Sequence, residues 1–270
     1  MKIGKIIVYI LLMLITFFYI LPFYILTIVS FNANIFSKPP QYYPLNPSLG
    51  GYIYLITQSL LLTWIFNSFI YSFTVTAGVL LVSTLAGYAF SRLSFPGRTL
   101  LFWLVLIGMM TPTVILYIPL YILLSKLNML NSHAGIILPL MVSPFSVFLV
   151  KQAFDSIPPD YEEAALIDGA STLQIIFNIL LPIIKPTLYT VVLFNFVWTW
   201  NNWLWPLFVS SSPFLFNLPV AVLMISSSWT SIVYINAAAV AIFSMIVPLL
   251  LYVFTLEYFM KGVVISGLKR

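Results

Sequence analysis

Asp160, Glu162, Glu163 and Asp168 are four of only six acidic residues in a 270-residue chain, and they fall in one short run. The chain around them is 62% hydrophobic and 6% charged, so a run that stays polar belongs in water. The chemistry open to it there is pairing with basic groups on another surface. A second polar cluster interrupts an apolar segment, Trp200-Asn201-Asn202-Trp203-Leu204-Trp205. Two readings of it stand side by side. Its amides can hydrogen-bond the hydroxyls of a neutral solute while indole faces pack on a sugar ring, or the run is an aromatic belt at a membrane surface. With no cysteine and a single histidine, His133, thiolate zinc sites, iron–sulfur clusters and disulfides are excluded and no metal site is assigned. No catalytic residue is assigned either. A G-x-x-x-x-G-K-[ST] phosphate loop is also missing, so any ATP used is hydrolysed by another polypeptide.

The elements that must position these groups are membrane helices. A mean hydropathy of +1.09 and apolar runs of about 20 residues match α-helical spans, not the short alternating strands of a barrel. Spans are expected at about 6–30, 67–90, 99–124, 135–150, 187–206 and 237–259. The first is too long for a signal h-region and lacks a cleavage site, so it reads as uncleaved. Prolines 39, 40, 44 and 47 place residues 31–59 outside the bilayer as a loop, with a short interfacial helix at its far end. Gly108, Pro112 and Pro119 predict a bent third span that faces protein or a path. Residues 207–236 read as a loop, in which Phe214 and Phe216 are expected to be exposed. The chain is thus a single all-α transmembrane domain.

Basic residues fix the orientation. With the N-terminus in the cytoplasm, Lys2, Lys5, Arg92, Arg98, Lys151, Lys185, Lys261, Lys269 and Arg270 lie inside, and only Lys38 and Lys126 lie outside. Both termini and the acidic run are therefore expected in the cytoplasm of a multi-pass cell-membrane protein. The net charge of +5 is topogenic, and nucleic acid is discounted as a partner.

Within the cytoplasmic segment 151–186, Pro158-Pro159 ends one helix and Asp160 with Glu163 forms a capping-box pattern that opens another. Gly169 suits a left-handed turn, Ser171 with Gln174 opens a further helix, and Pro182 and Pro186 bend the chain before the fifth span. The prediction is helix, tight turn, helix. The first helix is too short to stand alone and must dock. Tyr161, Ala164, Ala165 and Asp168 share one of its faces, where two small residues permit close approach by another surface.

The pattern Glu163-Ala164-Ala165, three residues, Gly169, nine residues, Ile179, one residue, Leu181-Pro182 resembles the EAA signature of permease subunits of ATP-binding-cassette importers. Gly87 to Arg98, Pro119-Leu120-Tyr121, the Trp/Asn run and the C-terminal YFMKGVVISGLKR are similar to the carbohydrate-uptake branch, in particular its maltose-type second permease subunit. The resemblance implies a type I importer fold, with segment 151–186 as a coupling helix pair seated in a cleft of an ATPase. Glu162, Glu163, Ala164, Ala165, Asp168, Gly169 and Pro182 would carry the coupling. It implies a second, different permease, two ATPase subunits that bind ATP and Mg, and an extracytoplasmic solute-binding protein. Phe214 and Phe216 would contact that binding protein or serve only as a connector. Trp200, Asn201, Asn202 and Trp203 would line the path, although in maltose-type importers the principal sugar pocket lies in the other permease.

The alternative is a self-contained secondary carrier or channel. Such carriers generally place an ionisable group within the bilayer, and the first five spans contain none. Glu257 in the sixth has Lys261 four residues on and reads as a structural pair. His133 reads as an exposed loop residue or a pH-sensitive contact. The uncharged spans favour a neutral cargo.

Overall fold

A computed structural model describes residues 2–31, 47–226 and 236–253, and the described residues are helical almost throughout. Glu257, Lys261 and the C-terminal sequence similar to the carbohydrate branch lie outside them. So do Lys38 and Pro39, Pro40 and Pro44 of the first loop. Helix α1 (Lys2–Ser30) is exposed along nearly its whole length, and its end is held where the Tyr52 hydroxyl donates to Ser30 Oγ at 2.8 Å. Tyr52 sits on α2 (Gly50–Gln58), the short helix expected before the second span.

Helix α3 (Leu61–Arg92) is the axis of the molecule, longer at both ends than the expected span. It is followed by α4 (Arg98–Met110) and α5 (Thr113–Lys126). Across the segment expected as a bent span from Thr99 to Leu124, the two helices meet at 107°. Pro112 has no N–H to continue the ladder and pushes Thr111 into extended backbone (φ −80°, ψ 123°). Next come α6 (His133–Ile137), a 3₁₀ turn at Leu138–Met141, and α7 (Pro144–Asp155), which together are long and apolar enough to cross a membrane. Helices α8 (Asp160–Ile167) and α9 (Thr172–Ile183) form the polar segment, and α10 (Lys185–Trp200) leaves α9 at 83°. The described residues close with α11 (Leu204–Val209), α12 (Leu218–Ser226) and α13 (Asn236–Val253). Among the described residues, four helices are long and apolar enough to cross a membrane, or up to six if each bent pair counts as one span.

Helix α3 packs most extensively against α7. Gly87 lets α7 approach so closely that a Cβ there would meet Val150 Cγ1 at 2.8 Å and the Lys151 backbone nitrogen at 3.1 Å. Gly87→Ala is expected to cost about 1–3 kcal/mol by forcing the helices apart. A lowered Tm of the purified protein would register it, and an unchanged Tm would mean that the contact is slack.

The segment expected as a loop from 207 to 236 needs correction. Its first part is helical (α11, a 3₁₀ turn at Pro213–Leu215, then α12), and its irregular backbone is stapled to α3. Trp64 Nε1 donates to the Pro213 carbonyl (2.9 Å), Asn67 Nδ2 to those of Phe214 (2.7 Å) and Phe216 (2.9 Å), and the Tyr71 hydroxyl to that of Leu215 (2.8 Å). Ser68 Oγ accepts from the Leu218 N–H at 2.8 Å. Side chains one helical turn apart thus satisfy successive carbonyls that would otherwise need water. His133 belongs to this assembly, with Nδ1 3.1 Å from the Tyr71 oxygen. Because Tyr71 gives its proton to Leu215, that nitrogen is the donor, and His133 has a structural partner there.

Candidate functional site: a docking segment and an aromatic cavity

The acidic segment forms the helix, turn and helix that its punctuation predicts, with one change at its start. Asp160 does not cap α8. Pro159 occupies the cap position with helical backbone (φ −58°, ψ −26°), and its carbonyl accepts from the N–H groups of Glu162 (2.9 Å) and Glu163 (3.1 Å). Proline is already shaped for this place, so Asp160 falls in the first turn, where its charge favours the helix N-terminus. The end of α8 is a Schellman closure: Ala170 N–H donates to Ala165 O and Gly169 N–H to Leu166 O, both at 3.0 Å, with Gly169 at φ +80°. Ser171 and Gln174 then make the expected capping box, each side chain meeting the other's backbone N–H (2.8 and 3.4 Å). The following turn widens into a π-helical stretch over Ile175–Leu180.

The structure divides the residues of this segment into two groups. Ala165 is buried, turned toward the chain's own apolar core of Phe154, Ile157 and Ile175, while its neighbour Ala164 is exposed. Glu162 is taken up within the chain, its Oε1 2.5 Å from Arg92 Nε at the end of α3. Glu163, Tyr161, Asp168 and Gly169 face outward, as does Ile167, which is 86% exposed. Pro182 sits near the α9–α10 corner. A polar clamp holds the segment to the bundle, and sequence reasoning missed it. Arg92 Nη2 donates to the carbonyls of Phe154 (2.8 Å) and Ile157 (2.7 Å), the last residues before the double proline. Beside it, Asp155 accepts from Ser91 Oγ at 2.6 Å and from Lys151 Nζ at 2.5 Å.

The Trp/Asn run is where the expected fifth span breaks. Helix α10 stops at Trp200, and residues 201–203 lead into α11. Asn202 governs the break: its Oδ1 accepts from Trp205 N–H (3.2 Å) and its carbonyl from Asn217 Nδ2 (2.8 Å). Asn201, Asn202 and Trp203 line a cavity of about 1030 Å³, with Tyr117, Trp198 and Phe194 among its other walls. Trp200 does not reach it. It is fully buried, its ring packs edge-on against Phe69 at 4.9 Å, and its Nε1 donates to Ser244 O. Helical spacing carries Trp200 to the face opposite the opening, so its place in the path is corrected to the core. Phe216 is corrected as well: it is 7% exposed and packed in the cluster of Trp64 and Leu218, whereas Phe214 is 63% exposed. The carbonyl staple from Asn67 turns the Phe216 backbone inward.

Among the described residues, apolar helices long enough to cross a membrane stand beside a capped polar segment and a cavity at a helix break, as in a multi-span membrane protein. Residues 80–263 match the family described as binding-protein-dependent transport system inner membrane component, and the chain belongs to that family. It is 34% identical over 227 residues to the arabinooligosaccharides transport system permease protein AraQ of Halalkalibacterium halodurans, covering 84% of this chain and 81% of that one. It is 34% identical over 203 residues to the sn-glycerol-3-phosphate transport system permease protein UgpE of Yersinia enterocolitica, covering 75% and 72%. Among solved structures, a bacterial ABC transporter involved in the import of the acidic polysaccharide alginate superposes with a TM-score of 0.85. The match is 21% identical and covers 96% of this chain and 97% of that one, so the fold is shared.

Proposed function

We propose that this chain is one of two permease subunits of an ATP-driven importer for a sugar or related neutral solute, and that segment 151–186 is its seat on a cytoplasmic ATPase. The observation that carries this reading is the division within α8. One side of the helix is locked to the bundle through Ala165 and the Glu162–Arg92 pair, while Tyr161, Glu163, Ala164 and Ile167 stand free on a helix too short to persist without tertiary support. A surface rigidly tied to α3 and free outward suits force transmission: closure of an ATPase dimer against it would rotate the bundle. Ala164 leaves room for close approach, and Glu163 offers a carboxylate to a basic residue. ATP and Mg are held by two ATPase subunits, and the chain itself is non-catalytic. A second permease completes the path, and an extracytoplasmic solute-binding protein delivers the cargo against the face carrying Phe214. In this reading the α8 end and both termini are cytoplasmic.

Gly169→Asp tests the seat. Nothing lies within 4 Å of a Cβ at Gly169, but its φ of +80° strains any side chain there, so Gly169→Asp loosens the Schellman turn and also sets a carboxylate in the docking face that would lose its water on assembly without a matched partner. Expected is normal membrane insertion with loss of ATPase co-purification and of ATP-dependent uptake in vesicles. Wild-type uptake by this variant would sink the assignment. Uptake independent of any ATPase would point to a self-contained carrier.

A further inference from the structure

We infer that the π-helical turn Ile175–Leu180 is a hinge built into the docking segment, carrying one residue more than an α-helix needs and yielding so that α10 turns against a seat fixed to α3. The inference rests on the ATPase-seat reading and adds to it the element that moves. Buried side chains show the extra residue. Ile176, Leu180 and Ile184 are 3%, 0% and 4% exposed and share one core cluster, although they follow one another at intervals of four. In an unbroken α-helix each four-residue step overshoots a full turn by about 40°, which would carry Ile184 about 80° around from Ile176. A turn widened by one residue absorbs the overshoot. The Leu181 N–H accordingly donates to the Ile176 carbonyl, five residues back. On either side the ladder runs at the usual four, from Ile175 N–H to Ser171 O (2.9 Å) and from Ile184 N–H to Leu180 O (3.1 Å).

Pro182 follows directly on the last donor of the wide turn. It has no N–H for the Asn178 carbonyl, and in an α-helix its ring would collide with that same carbonyl. Pro182 thus favours the open ladder at one end, while the Ser171–Gln174 box fixes the other. Between these two points Phe177 and Asn178 are exposed, so the core does not hold the spare residue in one place. A wide turn of this kind can pass along a helix by trading i−5 for i−4 bonds one at a time, without opening the ladder at once. Its position gives that freedom a use. Arg92 ties the start of the segment to α3, and α9 leads to α10 through an 83° corner. A push on α8 therefore reaches the bundle by two routes, a stiff one through the clamp and one through the wide turn, and hinges form where a few residues absorb the change.

Deleting Asn178 tests the hinge. The deletion brings Ile176, Leu180 and Ile184 to i, i+3 and i+7, the buried stripe of an ordinary α-helix, so the core contacts stay while the spare residue goes. Deleting Phe177 restores the same spacing and decides the matter if the first variant fails to fold. The chain has no cysteine, so spin labels go specifically onto Gln152→Cys on α7 and Lys185→Cys at the start of α10, both exposed positions. The distance between them is measured by pulsed electron paramagnetic resonance in the assembled importer, before and after addition of ATP and vanadate. Expected is a shift of at least about 2 Å in the labelled parent, retained in Asn178→Ala, which keeps the residue count, and abolished in the deletion. An unmoved parent, a deletion that still shifts, or an Asn178→Ala that does not would each overturn the hinge. ATPase capture by the same preparations separates the two readings. Labels that stay still while capture is intact count against the hinge alone, whereas a parent that captures no ATPase overturns the seat and the hinge together.

Discussion

Arg92→Ala is expected to uncouple the docking segment from the bundle and to be more damaging than Glu162→Ala. Arg92 is 16% exposed and Glu162 13% in their side chains, so removing the cation strands a carboxylate with little access to water. The loss of one partner from a fully buried pair costs about 3–5 kcal/mol, and partial solvation here lowers that to about 2–3. Arg92 does more than pair, because its Nη2 also holds the Phe154 and Ile157 carbonyls at the end of α7. Removing Glu162 leaves those two bonds intact, which sets the order of severity. Lysine cannot substitute, since a single ammonium lacks the planar fork that reaches a carboxylate and two carbonyls at once. Uptake and ATPase activity measured together check this. Arg92→Ala and Arg92→Lys should retain ATP hydrolysis by the assembled complex while uptake falls at least about tenfold, with Glu162→Ala intermediate. Equal effects at both positions would mean that the carbonyl contacts carry nothing.

The clamp also marks the boundary of what could be read from sequence. Gly169 and the Ser171–Gln174 box were legible because a left-handed turn and a capping box are set by residues within three positions of one another. Arg92 and Glu162 are 70 positions apart, and Arg92 read only as a topogenic charge. Once α3 and α7 pack through Gly87, that charge is carried to Glu162 on α8. The same limit explains the loop expected at 207–236. Pro213 and the serines before it look like connector sequence, yet their neighbourhood is fixed by Trp64, Asn67, Ser68 and Tyr71. These fall at helical spacing on one face of α3, nearly 150 positions earlier. A polar and aromatic stripe inside an otherwise apolar span was the available signal. It announced buried backbone acceptors without saying whose they were. Trp200 illustrates a different loss. A run of three tryptophans gives membership of a belt or a path, but only the break after α10 decides which indoles face the cavity and which face the core.

The two alanines of the docking helix give the sharpest separation between what holds this chain together and what it offers to a partner. Close approach at both is the expectation from spacing, and the structure buries one of them and leaves the other, Ala164, exposed. Ala165 is 6% exposed against the chain's own core. A leucine there has no room, and overpacking costs about 1–3 kcal/mol, enough to lift α8 from Phe154 and Ile157 and to strain the Schellman closure through the Ala165 carbonyl. Ala165→Leu should therefore lower the Tm of the isolated permease and lose ATPase capture as a consequence. Ala164 is exposed, so Ala164→Leu should leave the Tm and expression of the permease at wild-type values while abolishing ATPase capture, because the added bulk stands only in the docking interface. Glu163→Gln, also on the outward face, should weaken capture without abolishing it, as a rim charge does. A Tm lowered by Ala164→Leu would place that residue against its own bundle. Undiminished ATPase capture by the same variant would mean that α8 is not the docking face at all, and the partner would have to seat on the π-helical turn of α9 instead.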